Sequence, residues 1–313
     1  MDRTRLVCWC VVAARGLLER LMISHRSLDA LRNGAGHFHV LAVDHRDSLR
    51  VFLDANEPDA VPDSLLVDVK RDLVEHVSPY ATGVMLEPEY SIPQALDVLS
   101  PTVGFIAALE SQGYLADPSA SATTLFWSVE EAAQSGAAAV KLLLPYHPEH
   151  PLAVEQRRVA AAVVGECHSV GIPLILEPLF HSLATHEARE LIVYRTVEHF
   201  ADSGADLLKL PFPVDPGDQV SEMRTVEACA RITNRCHQPW ALLSGGGTFE
   251  SFRQQVSLAT SAGAAGFMVG RALWGEAARA IDGDRRRLII NDVVLPRWQS
   301  LVAAASGETL IVN

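Results

Sequence analysis

From His37 onward the hydrophobic and polar positions repeat one pattern: a short apolar run rich in Val, Ile and Leu, a polar loop, then a longer amphipathic stretch. This alternation is the signature of strand and helix in turn. The apolar runs cover 39–46 (HVLAVDHR), 82–88 (TGVMLEP), 102–109, 138–146, 172–179, 205–212, 239–246 and 264–271 (AAGFMVGR), eight in all. Helical stretches are predicted between most of them, at 62–77, 151–170, 188–204, 221–236 and 249–263, several closing on Gly as helix C-termini do. The segment 110–127 is rich in small and polar residues and is expected to cap or edge one end of the fold. Runs that are apolar at successive positions bury both strand faces, which belongs to a parallel sheet covered by helices. Eight such units close into a (β/α)8 barrel, an α/β fold with one domain over 37–313 and an N-terminal extension over 1–36. An open doubly wound sheet is disfavoured, because no strand leads into G-x-G-x-x-G and SGGG follows the seventh run.

The extension begins MDRTRLVCWCVVAARGLLERL, with basic residues before a short apolar run from Leu6 to Ala14, superficially like a secretion signal. Arg15 closes that run and no small-residue cleavage site follows, so an appended helix, or an extension upstream of Met22, is the expectation. No segment approaches the roughly 20 apolar residues of a membrane helix.

Composition narrows the function. With 313 residues, 49% of them hydrophobic, the chain can bury a sizeable core. A formal net charge of -12 argues against nucleic acid or an anionic membrane as partner and leaves a small molecule as the expected ligand. The five cysteines form no Cys-x-x-Cys pair, which reads as a reduced, cytoplasmic protein without a disulfide frame. Whether the chain forms a homo-oligomer is open at this level.

The lysines carry the sharpest signal. Only Lys70, Lys141 and Lys209 occur, and the last two sit inside apolar strand runs, AAAVKLLLPY and DLLKLPFP. Arginine, which fills the other cationic positions, keeps its proton and cannot act as an amine nucleophile. A lysine in such a run is either a paired structural charge or an imine-forming amine. In a (β/α)8 barrel the reactive groups lie at the C-terminal strand ends. Those ends carry Asp44, His45 and Arg46 on the first strand, Glu87 on the second, Lys141 on the fourth and Glu177 on the fifth. Lys209 follows on the sixth, Ser244, Gly245, Gly246 and Gly247 on the seventh, and Gly270 with Arg271 on the eighth. Consecutive backbone N–H groups in SGGG, a Thr248 cap and the Arg271 guanidinium together predict an anion site, as the loops after strands seven and eight commonly bind phosphate.

These residues resemble the class I, Schiff-base tagatose-bisphosphate aldolases and the related aldolases that cleave 6-deoxy-6-sulfofructose 1-phosphate. The resemblance runs from about Val40 to Trp274 and rests on LAVDHRDSLR, GVMLEPEYSIPQAL, VKLLLPYHP, IPLILEPL, ADLLKLPFPV, the Ser-Gly turn and FMVGRALW. It implies a lyase with no cofactor and no metal, in which Lys209 forms an imine with the ketone of a sugar phosphate. Lys141, Glu177 and Asp44 then correspond to the family's other catalytic positions, and Arg271 to its phosphate contact. The chemistry is consistent: attack on a ketone carbon needs the neutral amine, which a neighbouring ammonium and desolvation both favour. Glu177 or Asp44 would move the proton of the C4 hydroxyl. Dihydroxyacetone phosphate is the expected ketone product, with its phosphate at Ser244, Gly245, Gly246 and Arg271. His45, Arg46 and Glu87 are expected to contact substrate, and Arg46, Arg50 and Lys141 are the cations expected to reach an anion at the far end, phosphate or sulfonate. Two other readings stand beside this one: a metal-dependent lyase using His45, His147 and His181, and a non-catalytic sugar-phosphate sensor with residues 1–35 as its contact surface.

Overall fold

The computed structural model describes residues 27–111, 121–180, 189–215 and 221–308. Eight parallel strands form a closed barrel in sequence order: β1 Phe38–Ala42, β2 Gly83–Leu86, β3 Gly104–Ala108, β4 Ala139–Pro145, β5 Leu174–Leu179, β6 Leu207–Leu210, β7 Trp240–Leu243 and β8 Gly266–Val269. Closure is made by β8 lying parallel to β1, with Phe38 opposite Gly266 and Leu41 opposite Val269. Every predicted apolar run coincides with one strand, β1 beginning one residue before its run. The principal helices follow the prediction closely, at Asp63–Val77, Ala153–Val170, Arg189–Phe200, Glu222–Arg235 and Phe249–Ser261. Shorter ones, Ile92–Ala95 and Val129–Gln134, follow β2 and β3. Beyond β8 the chain adds Arg271–Ala278, Gly283–Ile289 and Leu295–Ser306.

Both strand faces are buried, and the period of two along each strand separates two apolar layers. Phe38, Val40, Ala42, Met85, Ile106, Ala139, Ile175, Leu207, Ala241 and Met268 fill the barrel interior, and their neighbours pack against the helices. Lys141 shares the parity of Ala139, Lys209 that of Leu207, Glu177 that of Ile175 and Asp44 that of Ala42, so all four continue the inward-facing set toward the C-terminal rim. The interior closes at the other end with Leu31, from the 3-10 turn Leu28–Leu31, which is fully buried in the same cluster. Its burial contributes roughly 1.5–3 kcal/mol, so the barrel's core begins before residue 37. The rest of the predicted helical extension, residues 1–26, lies outside the described residues.

The segment after β3 edges the barrel as expected. Thr124 and Leu125 return antiparallel beside Glu110 and Ser111, with Phe126 N donating to Leu109 O at 2.7 Å. Trp127 Nε1 donates to Ala108 O at 2.9 Å and pins the return to β3.

Candidate active site

Two lysines and three carboxylates meet inside the C-terminal rim. Lys141 Nζ lies 2.7 Å from Asp44 Oδ2, 2.6 Å from Glu110 Oε1 and 3.5 Å from Glu177 Oε2. Lys209 Nζ donates to Glu177 Oε2 at 2.9 Å and lies 3.7 Å from the Met85 sulfur. All five charged side chains are buried. Burial opposes the charge on Lys141, yet Asp44, Glu110 and Glu177 overcome it and hold the ammonium above its ordinary range. Burial likewise works to raise the Asp44 carboxyl, and the Lys141 and Lys209 ammoniums outweigh it and hold the group well below the usual carboxylate range. Lys141 is thus a permanent cation that organises three acids.

Glu110 is the member of this cluster that strand-end reading missed. It is the residue immediately after the β3 run, at the parity of Ile106 and Ala108, and the rule used for the other strands points to it. Its second oxygen accepts from Leu143 N at 3.0 Å, which fixes the carboxylate across the β3–β4 pair.

Above the cluster opens a cavity of about 290 Å³, walled by Glu177, Lys209, His45, Ser244, Gly245, Gly246, Arg271 and Arg189 among others. Gly245 and Gly246 both have positive φ, +56° and +78°, a left-handed pair that other residues adopt only with strain. That turn brings Gly246 against Arg271: a Cβ there would sit 3.8 Å from an Arg271 Nη. Thr248 accepts from Ser251 N at 3.3 Å and caps the next helix, while the helix Arg271–Ala278 begins at Gly270 without a side-chain cap. Ser244, the glycine turn and Arg271 therefore share one wall and form a cationic, donor-rich cradle suited to a phosphate.

His45 belongs to the same wall. Its ring stands edge-on to Trp274 with centroids 5.3 Å apart, and it occupies the space a side chain on residue 270 would need. A Cβ on Gly270 would lie 2.7 Å from His45 Cε1. Burial, reinforced by Arg271 and Lys209 against the opposing pull of Asp44, keeps the imidazole neutral, well below its ordinary value.

Other expected contacts are held elsewhere. Glu87 is fully buried and paired with Lys70 from the helix Asp63–Val77, and its carboxylate also accepts from Glu89 N at 2.7 Å and from Tyr90 N. Parity aims it inward, but β2 ends at Leu86 and the following loop folds over the carboxylate, so Glu87 is not on the cavity wall. Arg46 donates to Glu110 O at 2.8 Å and faces Glu89 at 3.6 Å; Arg50 is taken by Val61 O, Asp63 and Tyr90. Neither lines the cavity. Asp44, paired with Lys141, does not line it either. Of the three histidines considered as metal ligands, His45 is on the cavity wall, His147 is off it with Nδ1 accepting from Glu149 N at 3.2 Å, and His181 lies outside the described residues. Among the described residues no group of three or more His, Cys, Asp or Glu is arranged to hold a metal, and no helix is long and apolar enough to cross a membrane.

A (β/α)8 barrel whose strand ends gather two lysines, their acids and a cationic, donor-rich wall has the groups an aldehyde-lyase needs, and the family match places the chain in that class. More particularly, the chain belongs to the DeoC/LacD family of aldolases, whose family model matches residues 38–276. It is 28% identical over 275 residues to a tagatose 1,6-diphosphate aldolase of Listeria monocytogenes, covering 80% of each chain. Among solved structures it resembles an archaeal fructose 1,6-bisphosphate aldolase, with a TM-score of 0.62 and 20% identity over 90% of this chain and 98% of that one. It also resembles a Schiff-base-forming fructose-1,6-bisphosphate aldolase, with a TM-score of 0.57 and 20% identity over 85% of this chain and 98% of the other. Both structural likenesses bear on the fold.

Proposed function

We propose that this chain is a class I aldolase that cleaves a ketose 1-phosphate through an imine on Lys209, releasing dihydroxyacetone phosphate and an aldehyde. The observation that carries the reading is the position of the Lys209 amine on the wall of the cavity that the glycine turn and Arg271 also border, 2.9 Å from the Glu177 carboxylate. With the 1-phosphate in the cradle, the substrate C2 carbonyl is presented to Nζ. Glu177, 2.9 Å away, takes the proton of the Lys209 ammonium, the amine so freed adds to C2, and the carbonyl oxygen, protonated in its turn, leaves as water to give the iminium. A base removes the C4 hydroxyl proton, the C3–C4 bonding pair flows into the iminium, and the aldehyde departs. The remaining enamine takes a proton at C3, and water returns the amine and dihydroxyacetone phosphate.

Glu177 is the better candidate for the proton transfers, since it is bonded to Lys209 and borders the cavity, whereas Asp44 is paired with Lys141 and does not line it. General acid–base help of this kind typically supplies about 10²–10⁴-fold. Lys141 holds the Asp44 carboxyl well below the usual carboxylate range and fixes all three acids in place. The name of the Listeria relative favours a ketohexose 1,6-bisphosphate of the tagatose type; the 6-deoxy-6-sulfo 1-phosphate is the other candidate the motifs suggest. The test is intact mass and peptide mapping after incubation with dihydroxyacetone phosphate and borohydride, in wild type and Lys209→Ala. A reduced adduct on Lys209, absent from the variant, is expected. A folded wild type that forms none would overturn the imine.

A further inference from the structure

Resting on that reading, we propose that Arg189 is the specificity-determining residue for the far end of the substrate, binding a tetrahedral oxyanion at C6. The cavity has a cation on each of two walls. Arg271, after β8, stands with the glycine turn; Arg189, after β5, stands with Phe180, Leu179 and Pro211. In the order β5-β6-β7-β8 the two arginines are separated by three strand spacings, with Lys209 of β6 between them. Three spacings of about 4.8 Å amount to roughly 14 Å along the rim. An extended sugar with an anion at each end and its ketone between them fits that order of groups.

Arg189 is built to present its charge there. Its Nε donates to Phe212 O at 2.7 Å, and its guanidinium lies over the Phe180 ring at 5.0 Å. Those contacts fix the plane and leave the two terminal amino groups, which have no hydrogen-bond partner among the described residues. Burial pushes its pKa below the ordinary arginine value, with Asp215 opposing, so the charge is partly desolvated. An arginine held this way offers two parallel N–H donors to a phosphate or sulfonate.

The other cations expected to reach the far end are occupied. Lys141 is enclosed by Asp44, Glu110 and Glu177, Arg46 by Glu110 O and Glu89, and Arg50 by Val61 O, Asp63 and Tyr90. None of the three lines the cavity, and Arg189 does.

The experiment compares wild type, Arg189→Gln and Arg189→Lys on tagatose 1,6-bisphosphate, 6-deoxy-6-sulfofructose 1-phosphate and fructose 1-phosphate, with borohydride trapping of dihydroxyacetone phosphate as the control. Loss of a charge-assisted contact predicts a fall in kcat/KM on the order of 10- to 100-fold for the doubly anionic sugars, carried mainly by KM. The monoanionic sugar should respond far less, and Lys should restore part of the loss. Which doubly anionic sugar the wild type prefers identifies the oxyanion as phosphate or sulfonate. If the adduct forms normally but Arg189→Gln is unimpaired, or is impaired equally on all three sugars, this inference is wrong and the aldolase reading stands. A wild type that neither forms the adduct nor cleaves any of the sugars would sink both.

Discussion

Replacing Lys141 by Met isolates the electrostatic frame of the site. In the folded protein the ammonium contacts Asp44 at 2.7 Å and Glu110 at 2.6 Å, with Glu177 at 3.5 Å. At an effective dielectric near 20 each of the two short contacts is worth about 6 kcal/mol before desolvation is subtracted. Most of that gross attraction offsets the cost of burying the charges, and truncating one partner of a buried pair typically costs about 3–5 kcal/mol. Methionine keeps the bulk of the side chain, so the loss reports charge more than cavity formation. The pH dependence separates this cause from generic damage. In wild type the Lys141 value is held up and the Asp44 value held down, so their contribution is lost only as pH rises through the first or falls through the second. Between pH 5 and 8 it is constant. With the ammonium gone, three acids share a dry site and the folded variant takes up a proton that the unfolded chain does not bind. The folded state then holds more protons, and stability falls as pH rises, by up to about 1.4 kcal/mol per pH unit for each proton. Urea unfolding of both proteins at pH 5, 6, 7 and 8 checks this: the deficit should be largest at pH 8 and shrink toward pH 5. A deficit that is independent of pH, or below the roughly 1 kcal/mol of an exposed pair at pH 8, would refute the reasoning.

Three further outcomes follow from other contacts. Glu177→Gln should still trap dihydroxyacetone phosphate on Lys209 while turnover falls on the order of 100-fold or more, as read by single-turnover kinetics; unchanged turnover would remove Glu177 from proton transfer. Gly270→Ala places a methyl 2.7 Å from His45 Cε1, and overpacking of this kind costs about 1–3 kcal/mol. A fall in melting temperature with a raised KM for ketose phosphate is expected, and a neutral effect on both would mean His45 is not held by β8. Lys70→Met strips the buried Glu87 of its partner and should lower stability by about 3–5 kcal/mol with little change in KM, since the pair stands off the cavity wall. A KM effect as large as that of a cavity residue would return Glu87 to the substrate.

The fold was legible because a closed parallel barrel writes a local rule eight times: each strand is apolar on both faces, and each is followed by polar residues at its C-terminal end. The same rule, with parity, places Lys141, Glu177, Lys209 and Asp44 inside the rim, and it reaches Glu110 once applied to β3. The rule stops at partner choice, which is non-local. Glu87 has the same strand-end position as Glu177, yet Lys70, one helix earlier, takes it away from the cavity. Arg46 and Arg50 sit close to the strand-one acid in sequence, and loop carbonyls and carboxylates far along the chain claim their donors. Arg189 presents the reverse case. It begins the helix Arg189–Phe200, well past the end of β5, in a stretch without a strand-end signature, and only the folded path against Phe180 and Phe212 O turns it to the cavity. Groups on strand ends can be read from pattern, while Arg189, the residue proposed to read the far end of the substrate, sits at the start of a helix. If that division is physical, exchanging the segment around Arg189 should change which sugar is cleaved without changing how the imine forms, because Lys209, Glu177 and Lys141 are held by strands that the exchange leaves in place.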